Sequence, residues 1–316
     1  MKTETQQQSA PLSAIFKALG ANFGIAVAKG TASFFTGSSA MLAEAIHSAS
    51  DCMNQILLLI GLREAKIPDS EEHPLGNGRA THVYALLVSI MIFAVGGLFS
   101  MYKGVLHIIH PEQVEHIGWL VGILFFSMLL EGYALSGGLK HASSEMKGKS
   151  FFQWVKETRS SELLIVICED VAALLGLVIA LIFVTLAYFT GDPRWDAAGS
   201  FFVGALLTTV GFVVFLEMKS LLIGESATPE REKAIREYIK AQPEIKELYR
   251  LITQQHGSKV FILIHAEMMT AGSDVFKIKD RIKAGIHKRF PEAEWVFIDS
   301  DKNKEVYEYD DEDDEI

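Results

Sequence analysis

Cysteine is nearly absent. Of 316 residues only Cys52 and Cys168 carry a thiol, and both lie within apolar runs, so no disulfide framework is implied and each reads as a small core hydrophobe. Basic residues are outnumbered, 29 Lys and Arg against 39 Asp and Glu, and no basic stripe with interleaved aromatics occurs, so nucleic acid is not expected as a partner. There is no HExxH, and no Ser or Cys nucleophile stands beside a histidine in a catalytic context, which argues against an intramembrane or membrane-tethered metal enzyme. Residues 1–13 are polar and precede no apolar h-region with a small-residue cleavage site, so no secretory signal peptide is expected. The formal charge of −10 is mostly a tail effect: residues 305–316 are acidic without a single Lys or Arg and read as a solvated, disordered terminus.

What the chain has in abundance is apolar length. At 49% hydrophobic residues it is too unevenly apolar for one soluble domain. Six segments approach the roughly 20 residues that a bilayer demands: 14–35, 38–63, 82–102, 117–139, 161–190 and 197–216. The second carries Glu44, His47, Asp51 and Asn54 at steps of three and four, a narrow polar stripe on a greasy helix. Ionisable groups at such depth are costly and mark ion or proton pathways, and a carboxylate one turn from an imidazole can share a divalent cation. The alternative is an Asp–His pair satisfying itself inside a helix bundle. The fifth segment holds Glu162 near its start and the adjacent pair Glu169 and Asp170, of which Asp170 is the favoured ligand and Glu169 an extra ligand or proton carrier. Glu131 in the fourth segment is a lone acid, suited to a bond with a neighbouring helix or to a place on the ion path.

Basic residues in the connecting loops set the orientation. Arg63, Lys66 and Arg79 follow the second segment, and Lys140, Lys147, Lys149, Lys156 and Arg159 follow the fourth. The first-to-second turn, TGSS, is uncharged, so both termini are expected in the cytoplasm. From about Ala227 the pattern becomes that of a soluble domain. Thr228 and Pro229 suit an N-cap and first turn, residues 247–256 and 259–268 alternate as strands about Gly257, residues 273–290 form a helix with Ser273 as cap, and residues 294–299 a last strand. His256 in the hairpin turn is expected to be solvated, and His107, His110 and His116 gather on the outer side as interfacial residues or a release vestibule.

Six apolar segments, the HxxxD of His47 and Asp51, the acidic pair of the fifth segment, the loop HPLGNGRA (residues 73–80) and the αββαβ end together resemble the cation diffusion facilitator transporters, from about residue 12 to 301. A branch like the zinc transporter 9 group is similar in placing an acid beside the fifth-helix aspartate. The resemblance implies a polytopic α-helical membrane protein of six transmembrane helices with a small cytoplasmic α+β, ferredoxin-like domain. The boundaries expected are a polar segment 1–13, a membrane domain 14–222, a metal-responsive dimerisation domain 223–301 and a tail 302–316.

The resemblance further implies a tetrahedral site between the second and fifth helices. His47, Asp51 and Asp170 match three of its ligand positions, and Val166 stands at the fourth, leaving water or Glu169 to complete it. The loop carries Asp69, Glu71, Glu72 and His73, a weak cytoplasmic metal site or a solvated acidic loop, with Asn77 where a second histidine is frequent. Arg79 is expected to pair with an acid such as Glu225. In the soluble domain His265 and Asp301 match ligand positions of a structural or regulatory Zn²⁺, although Tyr249 and Asp299 stand where histidines are frequent; otherwise His265 is an ordinary strand residue. The implied function is a proton-coupled antiporter, a homodimer in the plasma (inner) membrane, exporting Zn²⁺ or alternatively Co²⁺, Fe²⁺ or Mn²⁺. The alternative is a non-transporting partner subunit or metal sensor, which Val166 keeps open.

Overall fold

A computed structural model describes residues 4–111, 116–143, 146, 148–269 and 274–300. The chain forms two compact units, one from the residues up to Ile67, Ala80–Lys156 and Ser161–Lys219, the other from Pro68–Arg79, Glu157–Ser160 and the residues from Ser220 onward.

The first unit is helical. Its elements are α1 (Glu4–Thr36), α2 (Ser39–Glu64), α3 (Ala80–Met91), a π-helical stretch (Ile92–Leu98), α4 (Phe99–Ile109), α5 (Ile117–Ala142), a short α6 (Phe151–Glu157), α7 (Ser161–Thr190) and most of α8 (Arg194–Ile223). Four continuous helices among the described residues are long and apolar enough to cross a membrane: Ala80–Ile109, Gly118–Lys140, Ser161–Thr190 and Arg194–Ile223. α1 and α2 have the length, at 33 and 26 residues, but α2 spends its apolar character on the polar stripe. Helix α1 begins at Glu4, earlier than the expected residue 14, and α6 was not expected at all.

The unit is inside out by the standards of a water-soluble bundle. Lys29, Glu44 and Asn54 are fully buried, while Phe34 and Tyr133 are 84% and 81% exposed. Large apolar side chains outside and charges inside are the arrangement a hydrocarbon solvent stabilises. Ala32, Met41, Leu120, Leu124, Leu177 and Val184 join α1, α2, α5 and α7 in one core, and Ala43, Ala172, Val203 and Leu207 join α2 and α7 to α8. Helices α2 and α7 therefore hold the centre. The α3–α4 helix meets α8 through glycines. A Cβ on Gly104 would sit 2.6 Å from Phe201 N, and one on Gly211 2.7 Å from Phe93 N, so the backbones touch.

Both short turns at one end of the bundle close with left-handed glycines, Gly37 (φ 70°) and Gly191 (φ 70°), whose amides donate to Ser33 O and Ala187 O at 2.9 Å. Asp196, just inside α8, then caps α2. Its Oδ2 accepts from Ser39 N at 2.6 Å and from Ser39 Oγ at 2.9 Å, and its Oδ1 accepts from Ser38 Oγ at 2.6 Å. An anion at a helix N-terminus satisfies amides that the helix leaves unpaired.

The second unit contains α9 (Pro229–Lys240), β1 (Ile245–His256), β2 (Lys259–Met268), α10 (Asp274–Arg289) and β3 (Ala293–Asp299). The expected αββαβ order is present. Strand order is β1-β2-β3, with β1 and β2 an antiparallel hairpin and β2 and β3 parallel, α10 making the crossover. Ile235 and Ile239 of α9 and Ile282 and Ile286 of α10 pack with Leu251, Ile262, Ile264, Val296 and Ile298 of the sheet. Pro229 takes the first helical position as expected, but Thr228 makes no side-chain capping bond; its carbonyl accepts from Glu232 N instead. The cap expected at Ser273 lies outside the described residues, as do the tail 302–316 and residues 1–3.

Candidate metal centre

The polar stripe of α2 faces inward. His47 Nδ1 lies 3.3 Å from Asp51 Oδ1, one turn along the helix, and both residues are buried. One turn further on, Asn54 Nδ2 donates to Glu169 Oε1 of α7 at 2.5 Å. Three buried polar atoms of this stripe, His47 Nε2, Asp51 Oδ1 and Asn54 Oδ1, have no hydrogen-bond partner. Leaving such groups unsatisfied costs roughly 1–3 kcal/mol each, more when charged, so a native chain tolerates them in a row only for a purpose. A soft–hard mixed set of imidazole nitrogen and carboxylate oxygen is the donor chemistry of Zn²⁺ and its first-row neighbours.

Helix α7 splits its acidic pair between two directions, because neighbours on a helix diverge by about 100°. Glu169 is buried against Asn54. Asp170 is half-buried and turns toward α5, where a Cβ on Gly138 would sit 3.7 Å from Asp170 Oδ2. Both are close enough for their charges to act on Asp51, as are Glu131 and Lys29. Val166 is half-buried. Among the described residues no three His, Cys, Asp or Glu side chains gather tightly enough to hold one ion, so His47 and Asp51 form a preset pair with Glu169 and Asp170 at its margin.

A cation that the sequence reading did not weigh lies one turn before His47. Lys29 of α1 donates to Glu44 Oε2 at 3.2 Å and to Ser48 Oγ at 2.9 Å, and lies 3.9 Å from Glu131 Oε1 of α5. Glu131 thus has an ion-pair neighbour on another helix. The signal available in the sequence was a lysine inside an apolar segment, about two turns from the helix end at Thr36.

In the second unit, Asp69, Glu71, Glu72 and His73 are all exposed, and the loop is ordered by its own turn: Ser70 N donates to His73 O, and His73 N to Ser70 Oγ, both at 3.0 Å. Glu225 is held by Arg159, whose Nη1 lies 2.5 Å from Glu225 Oε2, and not by Arg79 as expected; Arg159 also donates to Ser226 O at 2.8 Å, so it reads the segment after α8 twice. His256 is buried, not solvated. Its ring meets Trp295 edge-on and its Nε2 lies 3.4 Å from Gly76 O, because the 68–79 loop folds over the hairpin turn. Burial lowers the pKa of His256 below the ordinary histidine value, and the nearby Arg79 and Lys259 add to this against the opposing pull of Gly76 O. His265 is buried on β2 with Tyr249 5.2 Å away, ring to ring, and Asp301 lies outside the described residues.

A helical membrane unit with a buried polar stripe, together with a small α+β sheet unit, points to a class, the cation efflux transporters. Residues 15–223 match the family's cation efflux transmembrane domain and residues 227–302 its cation efflux protein, cytoplasmic domain; the chain belongs to this family, whose members are transporters and not enzymes. Among its relatives, the proton-coupled zinc antiporter SLC30A9, mitochondrial, of Xenopus laevis is 33% identical over 229 residues, covering 72% of this chain and 41% of the relative. The human protein of the same name is 33% identical over 217 residues, 68% of this chain and 38% of the relative. The cation-efflux pump FieF of Klebsiella pneumoniae is 26% identical over 279 residues, 86% of each chain. The chain therefore spans about 40% of the length of the zinc-antiporter relatives it matches.

Proposed function

We propose that the chain is a proton-coupled divalent cation antiporter whose substrate is Zn²⁺, bound by His47 and Asp51 with Glu169 and Asp170 completing the ligand set from α7. The observation that carries this reading is the run of buried His47 Nε2, Asp51 Oδ1 and Asn54 Oδ1, none with a hydrogen-bond partner, on the stripe that meets Glu169. The relatives named as proton-coupled zinc antiporters support the substrate and the coupling. Six membrane helices over residues 14–222 are proposed, α1 and α2 joining the four apolar spans, with residues 223–301 as a cytoplasmic domain that pairs two copies. The basic loops support a cytoplasmic location for both termini; a plasma (inner) membrane is the location proposed.

Coupling follows from the ligands. A metal binds imidazole nitrogen only when that nitrogen carries no proton, so Zn²⁺ and H⁺ compete for His47. Metal loading from the cytoplasm expels the proton, and protonation on the far side expels the metal. Since affinity order alone does not select, Co²⁺, Fe²⁺ and Mn²⁺ are weaker candidate substrates for the same site. A regulatory Zn²⁺ at His265 and Asp301, and a weak site at Asp69 and His73, are the remaining metal positions proposed.

The test is Zn²⁺ uptake into proteoliposomes under an imposed pH gradient. Flux that follows the gradient in the wild type and is abolished by Asp51→Ala supports the reading. Wild-type protein that binds Zn²⁺ yet carries no gradient-driven flux would replace it with the partner-subunit or sensor reading.

A further inference from the structure

Four membrane helices converge on the ammonium of Lys29. From α1 comes the lysine itself, fully buried; from α2 come Glu44 and Ser48, also buried; from α5 comes Glu131. The fourth is α7, which contributes space. A Cβ on Gly176 would lie 2.6 Å from Glu44 Oε1, so any larger residue there would make this carboxylate shift. Glu44 Oε1 has no hydrogen-bond partner, although it is fully buried. Two carboxylates and a hydroxyl therefore surround one small positive group, with a carboxylate oxygen to spare.

We propose that Glu44, Ser48 and Glu131 form a second cation site of the membrane unit, kept filled by the tethered ammonium of Lys29. Ammonium is a compact point charge with three donors, and here Glu44 and Ser48 accept from it while the Glu131 carboxylate lies 3.9 Å away. An oxygen-only set is what hard divalent cations such as Mn²⁺ accept, whereas the imidazole at His47 suits Zn²⁺. The alternative account, a structural ion pair alone, explains the contacts of Glu44 Oε2 but leaves the spare Oε1 and the glycine beside it unexplained. The consequence for transport, which rests on the antiport reading, is that Lys29 balances charge next to His47 so that the path carries one exchangeable divalent ion.

The full chain is purified in detergent micelles, and bound Mn²⁺ per protomer is counted by electron paramagnetic resonance for three proteins: wild type, Lys29→Met, and Lys29→Met with Glu44→Gln and Glu131→Gln. The expected result is one additional Mn²⁺ per protomer in Lys29→Met, lost again in the triple variant. An equal count in wild type and Lys29→Met overturns the proposal. Should Lys29→Met lose its fold in chelator, its recovery with Mn²⁺ supports the site, and failure to recover while the triple variant folds overturns it. Zinc flux of the wild type is measured in parallel. A gained Mn²⁺ beside a wild type without flux would sink antiport and leave the cation site standing.

Discussion

At the scale of single residues, the adjacent acids of α7 divide the labour by direction. Glu169 meets Asn54 on the α2 stripe, whereas Asp170 turns toward Gly138 of α5. Removing the carboxylate that faces the stripe should therefore cost more. Glu169→Gln is expected to lower Zn²⁺ flux on the order of 10–100-fold and Asp170→Asn less, a ranking readable in proteoliposomes; equal losses would mean that the two acids contribute alike and that facing the stripe gives Glu169 no larger share. His256 offers a pH test in the other unit. Its pKa is lowered in the folded state, so the unfolded chain takes up the proton more readily. The stability it contributes is present above the ordinary histidine value of about 6.5 and fades as pH falls below it. Amide exchange of the β1–β2 hairpin, corrected for intrinsic rates, should show protection falling between pH 7.5 and 5.5 in the wild type. The fall should be smaller in His256→Gln.

Among elements, α2 is the one whose placement matters most, and it is pinned from α8. Asp196 accepts from the first amides and hydroxyls of α2 while itself nearly sealed from solvent. Asp196→Ala leaves Ser39 N without its acceptor and is expected to cost about 1–3 kcal/mol, seen as a lower melting temperature in micelles together with weaker Zn²⁺ binding at His47. The contact of α4 with α8 depends on the absence of side chains. At Gly104 an added methyl would lie 2.6 Å from Phe201 N and 2.9 Å from Ala197 O, both backbone atoms that cannot swing aside. Gly104→Ala should thus force the helices apart and destabilise by roughly 1–3 kcal/mol, again visible in the melting temperature. A loss confined to a few tenths of that figure would show that the helix pair slides freely.

For the whole molecule, the defining property is the exchange of inside and outside between the two units. In the membrane unit Lys29 and Glu44 are buried while Phe34 and Tyr133 face out; in the sheet unit Ile262, Ile264, Ile282 and Ile286 are among the fully buried residues. Two tryptophans of the first unit report this difference. Trp119, on α5, is 75% exposed, and Trp154, on α6, only 1%. In single-tryptophan proteins reconstituted with brominated lipid, Trp119 fluorescence should be quenched and Trp154 fluorescence spared. Quenching of both alike would remove α5 from the lipid boundary.

Much of this was written in the order of residues. Local rules are enough to mark apolar runs of bilayer length, to place Glu44, His47, Asp51 and Asn54 on one face of α2, and to lay out αββαβ after Ala227, since periodicity depends only on neighbours along the chain. The family pattern likewise sits in short motifs. What depends on residues far apart in sequence had to wait for packing. Lys29 and Glu44 are 15 positions apart, Asn54 and Glu169 are 115, and Ser39 and Asp196 are 157, and no local rule chooses among such partners. The same is true of Glu225, which Arg159 took in place of the expected Arg79, and of His256, which the 68–79 loop covers although its turn alone predicts solvent. Sequence settles the apolar runs and the polar face of α2; only the fold decides which further groups are buried and which partner makes each burial tolerable, because an unpaired charge in a low-dielectric interior is costly.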